Sequence, residues 1–147
     1  SDGSWYGSWA VCFTYGTWFA IDALIASGES IHSTTITKAV QFLISKQNGD
    51  GGWGESYLSC VKKTYIQHEH SQVINTSWAL LSLIAAKADR SHIEKGIRFL
   101  LKQQLNNGDW KQQAISGVFN GNCMISYTNY RNIFPIWALG RFLKEKN

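Results

Sequence analysis

The residues best able to do chemistry in this chain are aromatic. Of its 147 residues, 14% are Phe, Trp or Tyr, and seven are Trp. Such rings stabilise a fold when buried, and their π faces attract cations when left uncovered. Phe119, Cys123, Tyr127 and Tyr130 follow spacings of four, four and three, which would place them on one face of a helix. Such a stripe fits a pocket lining and fits a buried core equally well. Polar candidates are weaker. Cys60, His68, Glu69 and His70 are metal-ligating types, but their spacing matches no zinc pattern, and surface positions in a long 54–72 loop are expected. His32 and His92 lie near helix starts and are expected to be solvated. Asp22 interrupts an apolar helix, where it either pairs with a base or faces solvent. No Gly-x-Ser-x-Gly, P-loop or dinucleotide fingerprint occurs.

The elements that must position these rings are helical and recurrent. Residues 38–53 and 95–110 superpose at a shift of 57, pairing Lys38 with Lys95, Phe42 with Phe99, Leu43 with Leu100, Gln47 with Gln104, Gly51 with Gly108, and Trp53 with Trp110. The opening Gly3-Ser4-Trp5 fits the tail of a third copy. Trp18, Trp78 and Trp137 recur at 60 and 59 residues, each in an apolar helical segment. Each unit reads as helix, Gly-rich turn with Gln and Trp, variable loop, then helix.

Local signals agree with this. Ile36, Ala39, Val40, Leu43 and Ile44 share one face of a helix over 34–46, stopped by Asn48-Gly49-Asp50-Gly51-Gly52. Ser91-x-x-Glu94 reads as a capping box opening the helix of Ile93, Ile97, Leu100 and Leu101. Helices are also predicted over 17–26, ended by Gly28, and over 75–86, capped by Asn75 or Thr76. A last helix runs to about Lys144, with Pro135 in its first turn. Strand signals are weak, so the expected fold is all-α, built of antiparallel helix pairs. About two and a half units are too few to cover one another's apolar faces, which implies part of a larger ring. The repeated Gln47 and Gln104 sit where helix carbonyls lack partners. A Gln amide can tie such a helix end to a neighbouring helix start. A structural role is expected for these and for Trp5, Trp53 and Trp110.

Composition narrows the class. Hydrophobic residues at 44% and charged residues at 16% describe an ordered globular chain. The net charge of +4 comes from fourteen scattered basic residues with no basic stripe, which argues against a nucleic-acid partner. Three widely spaced cysteines, with no CxxC pair, argue against a disulfide framework and for a reducing compartment.

The pattern Lys-Ala/Gly-x-x-Phe-Leu-x-x-x-Gln-x-x-x-Gly-x-Trp resembles the QW motif of squalene and oxidosqualene cyclases. Residues 2–19, Gly117-Val118-Phe119-Asn120, Ile125-Ser126-Tyr127 and the run Tyr130 to Gly140 resemble eukaryotic oxidosqualene cyclases, so the likeness covers essentially the whole chain. It implies that residues 1–147 are the C-terminal portion of one α6–α6 barrel domain, with QW repeats ending near Trp5, Trp53 and Trp110. It implies an isomerase that cyclises 2,3-oxidosqualene to a lanosterol- or cycloartenol-type skeleton, with no metal and no cofactor. The enzyme would be monotopic, at the endoplasmic reticulum membrane or lipid droplets. An Asp protonates the epoxide in this family, and aromatic rings shield the migrating carbocation. Trp9, Phe119, Tyr127 and Tyr130 match pocket aromatics, Asn120 matches sterol-forming members, and Tyr15 matches a tyrosine behind the acid in bacterial relatives. The acidic motif Asp-Cys-Thr-Ala-Glu is absent and is expected upstream, so the segment alone is expected not to cyclise. Two other classes make different demands: a protein prenyltransferase β subunit needs an Asp, Cys and His zinc set, and a non-catalytic αα-repeat module binding a lipid or protein needs an exposed apolar groove.

Overall fold

A computed structural model describes residues 2–145. The chain is mostly helical, with six helices and four short strands among these residues. The helices are α1 (Cys12–Ala26), α2 (Thr34–Ser45), α3 (Leu58–Lys62), α4 (Val73–Ala85), α5 (Arg90–Gln103) and α6 (Tyr130–Lys144). The strands form two antiparallel pairs, β1 (Trp53–Glu55) with β2 (Gln67–Gln72), and β3 (Gly117–Phe119) with β4 (Cys123–Ile125).

Helix α4 is the centre. Its residues Val73–Ile84 are all buried, and it packs against α1, α5, α6 and α2. Small polar residues survive there because Ser77 and Ser82 return their hydroxyls to the carbonyls of Val73 and Trp78, at 2.6 and 2.9 Å. The core around it contains Trp53, Trp78 and Trp110, each at most 1% exposed.

The Gly-rich turns close on helix ends. The Trp53 indole donates to the Leu43 carbonyl at 2.7 Å, and the Trp110 indole donates to the Leu100 carbonyl at 2.9 Å. Each bond ties the indole to a carbonyl in the last turn of the helix just ended, where carbonyl groups have lone pairs to spare. Gln47 donates to the Gly51 carbonyl and to the His92 carbonyl, both at 2.9 Å, which joins the end of α2 to the first turn of α5. The Trp5 amide donates to Thr17 Oγ1 as the Trp53 amide does to Thr76 Oγ1.

Several sequence expectations are corrected. The chain is mostly helical, as expected, but the 54–72 stretch is β1, α3 and β2 rather than a loop, and 117–125 is a hairpin. Phe119, Cys123, Tyr127 and Tyr130 therefore do not share a helix face. Asn120 and Gly121 take left-handed φ of 51° and 73°, which these residue types tolerate, and Asn-Gly is a hairpin-turn signal that periodicity overrode. Helix α1 starts at Cys12, five residues before the expected Thr17. Helix α4 starts at Val73, so Asn75 and Thr76 lie within its first turn and serve β1 instead of capping. The Ser91 capping box does not form: Asp89 is the N-cap and accepts from the Ser91 amide. Glu94 pairs with Arg90 at 2.8 Å and with Arg98 at 3.8 Å. Leu101 is exposed. Pro135 lies inside α6, in its second turn, because the helix starts at Tyr130.

Candidate functional site

The aromatic residues singled out in the sequence fall in two groups. Tyr15 on α1 and Tyr130 on α6 face a cleft of about 490 Å³ that Trp18, Phe19, Asp22, Ala23, Phe134 and Trp137 also line. Trp78 of α4 is buried behind these rings, with ring centroids 5.4 Å from Tyr15, 6.1 Å from Tyr130 and 5.3 Å from Phe134. Tyr127 stacks on Tyr130 at 4.7 Å. These contacts arise because α1 and α6 both pack on α4.

Trp9 and Phe119 form the second group. Their rings meet edge-on at 5.3 Å, yet Trp9 is 54% exposed and Phe119 42%. The pair is built by backbone: Ala10 bridges to Gly117, the Val11 amide donates to the Ser116 carbonyl at 2.8 Å, and Val118 donates to the Trp9 carbonyl at 3.3 Å. Gly117 links the groups, since a Cβ added there would lie 2.4 Å from the Tyr127 ring. The structure thus brings Tyr15, Tyr127 and Tyr130 into one cluster and Trp9 with Phe119 into a second beside it. Asn120 is exposed at the hairpin turn.

Burial keeps the Tyr15 and Tyr130 rings neutral. Burial raises the Tyr15 phenol above its ordinary value, and burial followed by its neighbours Tyr127 and Tyr15 raises Tyr130. Both therefore present π faces and hydroxyls, not phenolates. Asp22 accepts from the Trp18 indole at 2.9 Å and pairs with Arg141 at 3.2 Å, which settles its sequence ambiguity in favour of a base. Arg141 also donates to the Leu81 carbonyl, so it ties α6 to both α1 and α4.

Other polar candidates fall elsewhere. Cys60, expected at the surface, is buried against Cys12 with sulfurs 2.7 Å apart. That contact first, and burial second, push the Cys12 thiol up. His68 Nδ1 receives the His70 amide on exposed β2, and no group of three or more metal-ligating residues occurs among the described residues. His92 is half-buried rather than solvated and bonds Gln47 through both its ring and its carbonyl. No helix among the described residues is long and apolar enough to cross a membrane.

Sequence reasoning missed Glu55. It is 1% exposed and accepts from the Phe13 amide at 2.9 Å, the Thr14 amide at 2.8 Å and the Thr14 hydroxyl at 2.7 Å. The N-cap of α1, Val11, has no side-chain oxygen, so Glu55 caps that helix from β1. A start without a capping residue is a sequence signal that a cap must come from elsewhere. Nothing local says that it lies more than forty positions on.

The squalene-hopene cyclase C-terminal domain family matches residues 1–144. A lanosterol synthase from Homo sapiens is 53% identical over 147 residues, covering 97% of this chain and 20% of the relative. A cycloartenol synthase from Dictyostelium discoideum is 64% identical over 142 residues, with coverages of 96% and 20%. An alpha-onocerin synthase from Lycopodium clavatum is 42% identical over 148 residues, with coverages of 97% and 19%. The chain spans about a fifth of the length of these relatives.

Proposed function

The chain belongs to the squalene-hopene cyclase C-terminal domain family, and from that premise we propose that it forms one wall of a triterpene cyclase pocket. In this reading, 2,3-oxidosqualene closes there to a sterol skeleton of the lanosterol or cycloartenol type. The relatives named for those products support the substrate class.

The observation that carries the reading is the open Trp9–Phe119 pair. A Trp half exposed beside a Phe half exposed, both held by backbone bonds, leaves π faces available to something other than this segment's own core. A migrating carbocation is stabilised by such faces at fixed positions. Tyr130 and Tyr15 continue the lining as neutral phenols, Tyr127 stacks on Tyr130, and Asn120 sits at the turn that orients Phe119. Excluding water from this space prevents quenching of the cation. The epoxide-protonating acid is assigned to a part of the enzyme outside residues 1–147. Residues 1–147 serve within an α6–α6 barrel, in an enzyme attached monotopically to the endoplasmic reticulum membrane or lipid droplets. Neither metal nor organic cofactor enters the proposed reaction.

The test is a graft. Residues 1–147 replace the matching segment of the human lanosterol synthase, and the hybrid is given 2,3-oxidosqualene in detergent. Sterol formation supports the reading. Trp9→Ala and Phe119→Ala are each expected to lower kcat about tenfold or more, while leaving the unfolding midpoint nearly unchanged because both rings are exposed. A folded, inert hybrid, or turnover indifferent to both substitutions, would count against it.

A further inference from the structure

Glu55 is a buried carboxylate with an unusual set of partners. No basic side chain forms an ion pair with it among the described residues. Burying an unpaired carboxylate is costly. The cost is offset here by the start of α1, whose amides at Phe13 and Thr14 each take one carboxylate oxygen. The Thr14 hydroxyl donates to the second of these oxygens. The positive end of a helix stabilises an anion placed there.

The other side of Glu55 is anchored in the core. Its own amide donates to Asn75 Oδ1 at 3.3 Å, and two residues earlier the Trp53 amide donates to Thr76 Oγ1 at 2.9 Å. Asn75 and Thr76 belong to α4, the fully buried helix that carries Trp78. Glu55 is therefore a strut between α4 and the first turn of α1. What that turn carries is functional in kind. Tyr15 follows Thr14 directly and packs on Trp78, and Trp9 enters α1 through Ala10 and Val11.

Resting on the cyclase reading above, we infer that Glu55 is a positioning residue for the pocket. It sets where the start of α1, and with it Tyr15 and Trp9, stands relative to Trp78 and Tyr130. Cation stabilisation falls with distance from the ring face, so a displaced start of α1 would let the cation react at the wrong carbon. The consequence is loss of product fidelity as well as rate.

Glu55→Gln in the hybrid cyclase tests this. The amide keeps the shape but turns an NH2 donor toward backbone amides that are themselves donors. With 2,3-oxidosqualene as the probe, kcat is expected to fall about tenfold with KM within about twofold, the signature of transition-state misplacement. Gas chromatography with mass spectrometry should show incompletely cyclised or differently deprotonated products. A plain helix cap would change the melting temperature and the active fraction, and leave kcat per active site and the product ratio as in the parent; that result overturns the inference. Thr14→Val removes only the hydroxyl bond, so it serves if Glu55→Gln does not fold. It should shift the product ratio in the same direction by less, and an unshifted ratio there likewise overturns the inference. An inert parent hybrid refutes the cyclase reading, and this inference falls with it. An active parent with an indifferent Glu55→Gln refutes this inference alone.

Discussion

Residues 43–53 and 100–110 obey one pattern but stand in different surroundings. In both, a Trp indole donates to the carbonyl ten residues back. In both, the turn glycine has positive φ, 90° at Gly51 and 85° at Gly108, and the Gln amide donates to the carbonyl four residues on. Beyond that they part. Gln47 reaches across to His92, and a Cβ on Gly51 would lie 2.6 Å from the Lys95 carbonyl. Gln104 is exposed with no such partner, and a Cβ on Gly108 would meet nothing. The second turn is held instead by Arg131 of α6, which donates to Asp109 at 3.0 Å and to the Trp110 carbonyl at 2.6 Å. A repeated motif thus closes its own helix end alike in both places, while its outward contacts depend on what packs beside it.

The shared part should show the largest effects. Trp53→Ala and Trp110→Ala each remove a fully buried indole and its hydrogen bond to a helix carbonyl, so each is expected to cost about 3–5 kcal/mol. Denaturant unfolding of the hybrid measures this, and a large inequality between the two would break the likeness. Next comes the glycine pair. Gly51→Ala combines a left-handed φ with a backbone clash and should cost about 2–3 kcal/mol, against about 1 kcal/mol for Gly108→Ala, where only the φ is unfavourable. Equal losses would mean that the Lys95 approach is immaterial. The glutamines follow: Gln47→Ala is expected to cost about 2 kcal/mol and Gln104→Ala a few tenths, because one tie crosses between helices and the other is local and exposed.

The smallest effect concerns the receiving helix. Asp89 caps α5, and its bonds to Ser91 hold its carboxyl below the ordinary value. A depressed folded-state pKa contributes stability that is present above the unfolded value near 3.8 and lost as pH falls through the lower folded value. Acidification in that range should therefore fray the start of α5 and lower the hydrogen-exchange protection factor at Ser91, the intrinsic rate divided by the observed rate at each pH. Asp89→Asn, which keeps a capping oxygen, should make that protection factor insensitive to the same pH change. Persistence of the dependence in Asp89→Asn would assign it elsewhere.

How much was legible varied with the reach of the signal. The helix over 34–46 and the one opening near Ser91 and carrying Ile93, Ile97 and Leu100 were readable because apolar spacing and turn chemistry both act within a few residues. The hairpin at 117–125 was misread because its rings happen to follow helical spacing; the Asn120-Gly121 turn outweighs that pattern once the strands pair. The early start of α1 was unreadable, since Glu55 supplies a cap that the local sequence lacks. Among the site residues, Tyr127 and Tyr130 do meet, but through a stack across a helix start rather than along one face.

Sequence alone determined the predominantly helical character, the Gly turns that end α2 and α5, and the wealth of π surface. Each follows from propensity, φ preference or side-chain type, which act at short range. Tertiary structure alone decided which rings are closed and which stay open. Trp53 and Trp110 lie within reach of helix carbonyls and are sealed, while Trp9 and Phe119 are fixed by backbone pairing with their faces left uncovered. A ring's exposure depends on what packs over it, and those neighbours are set by contacts among distant parts of the chain.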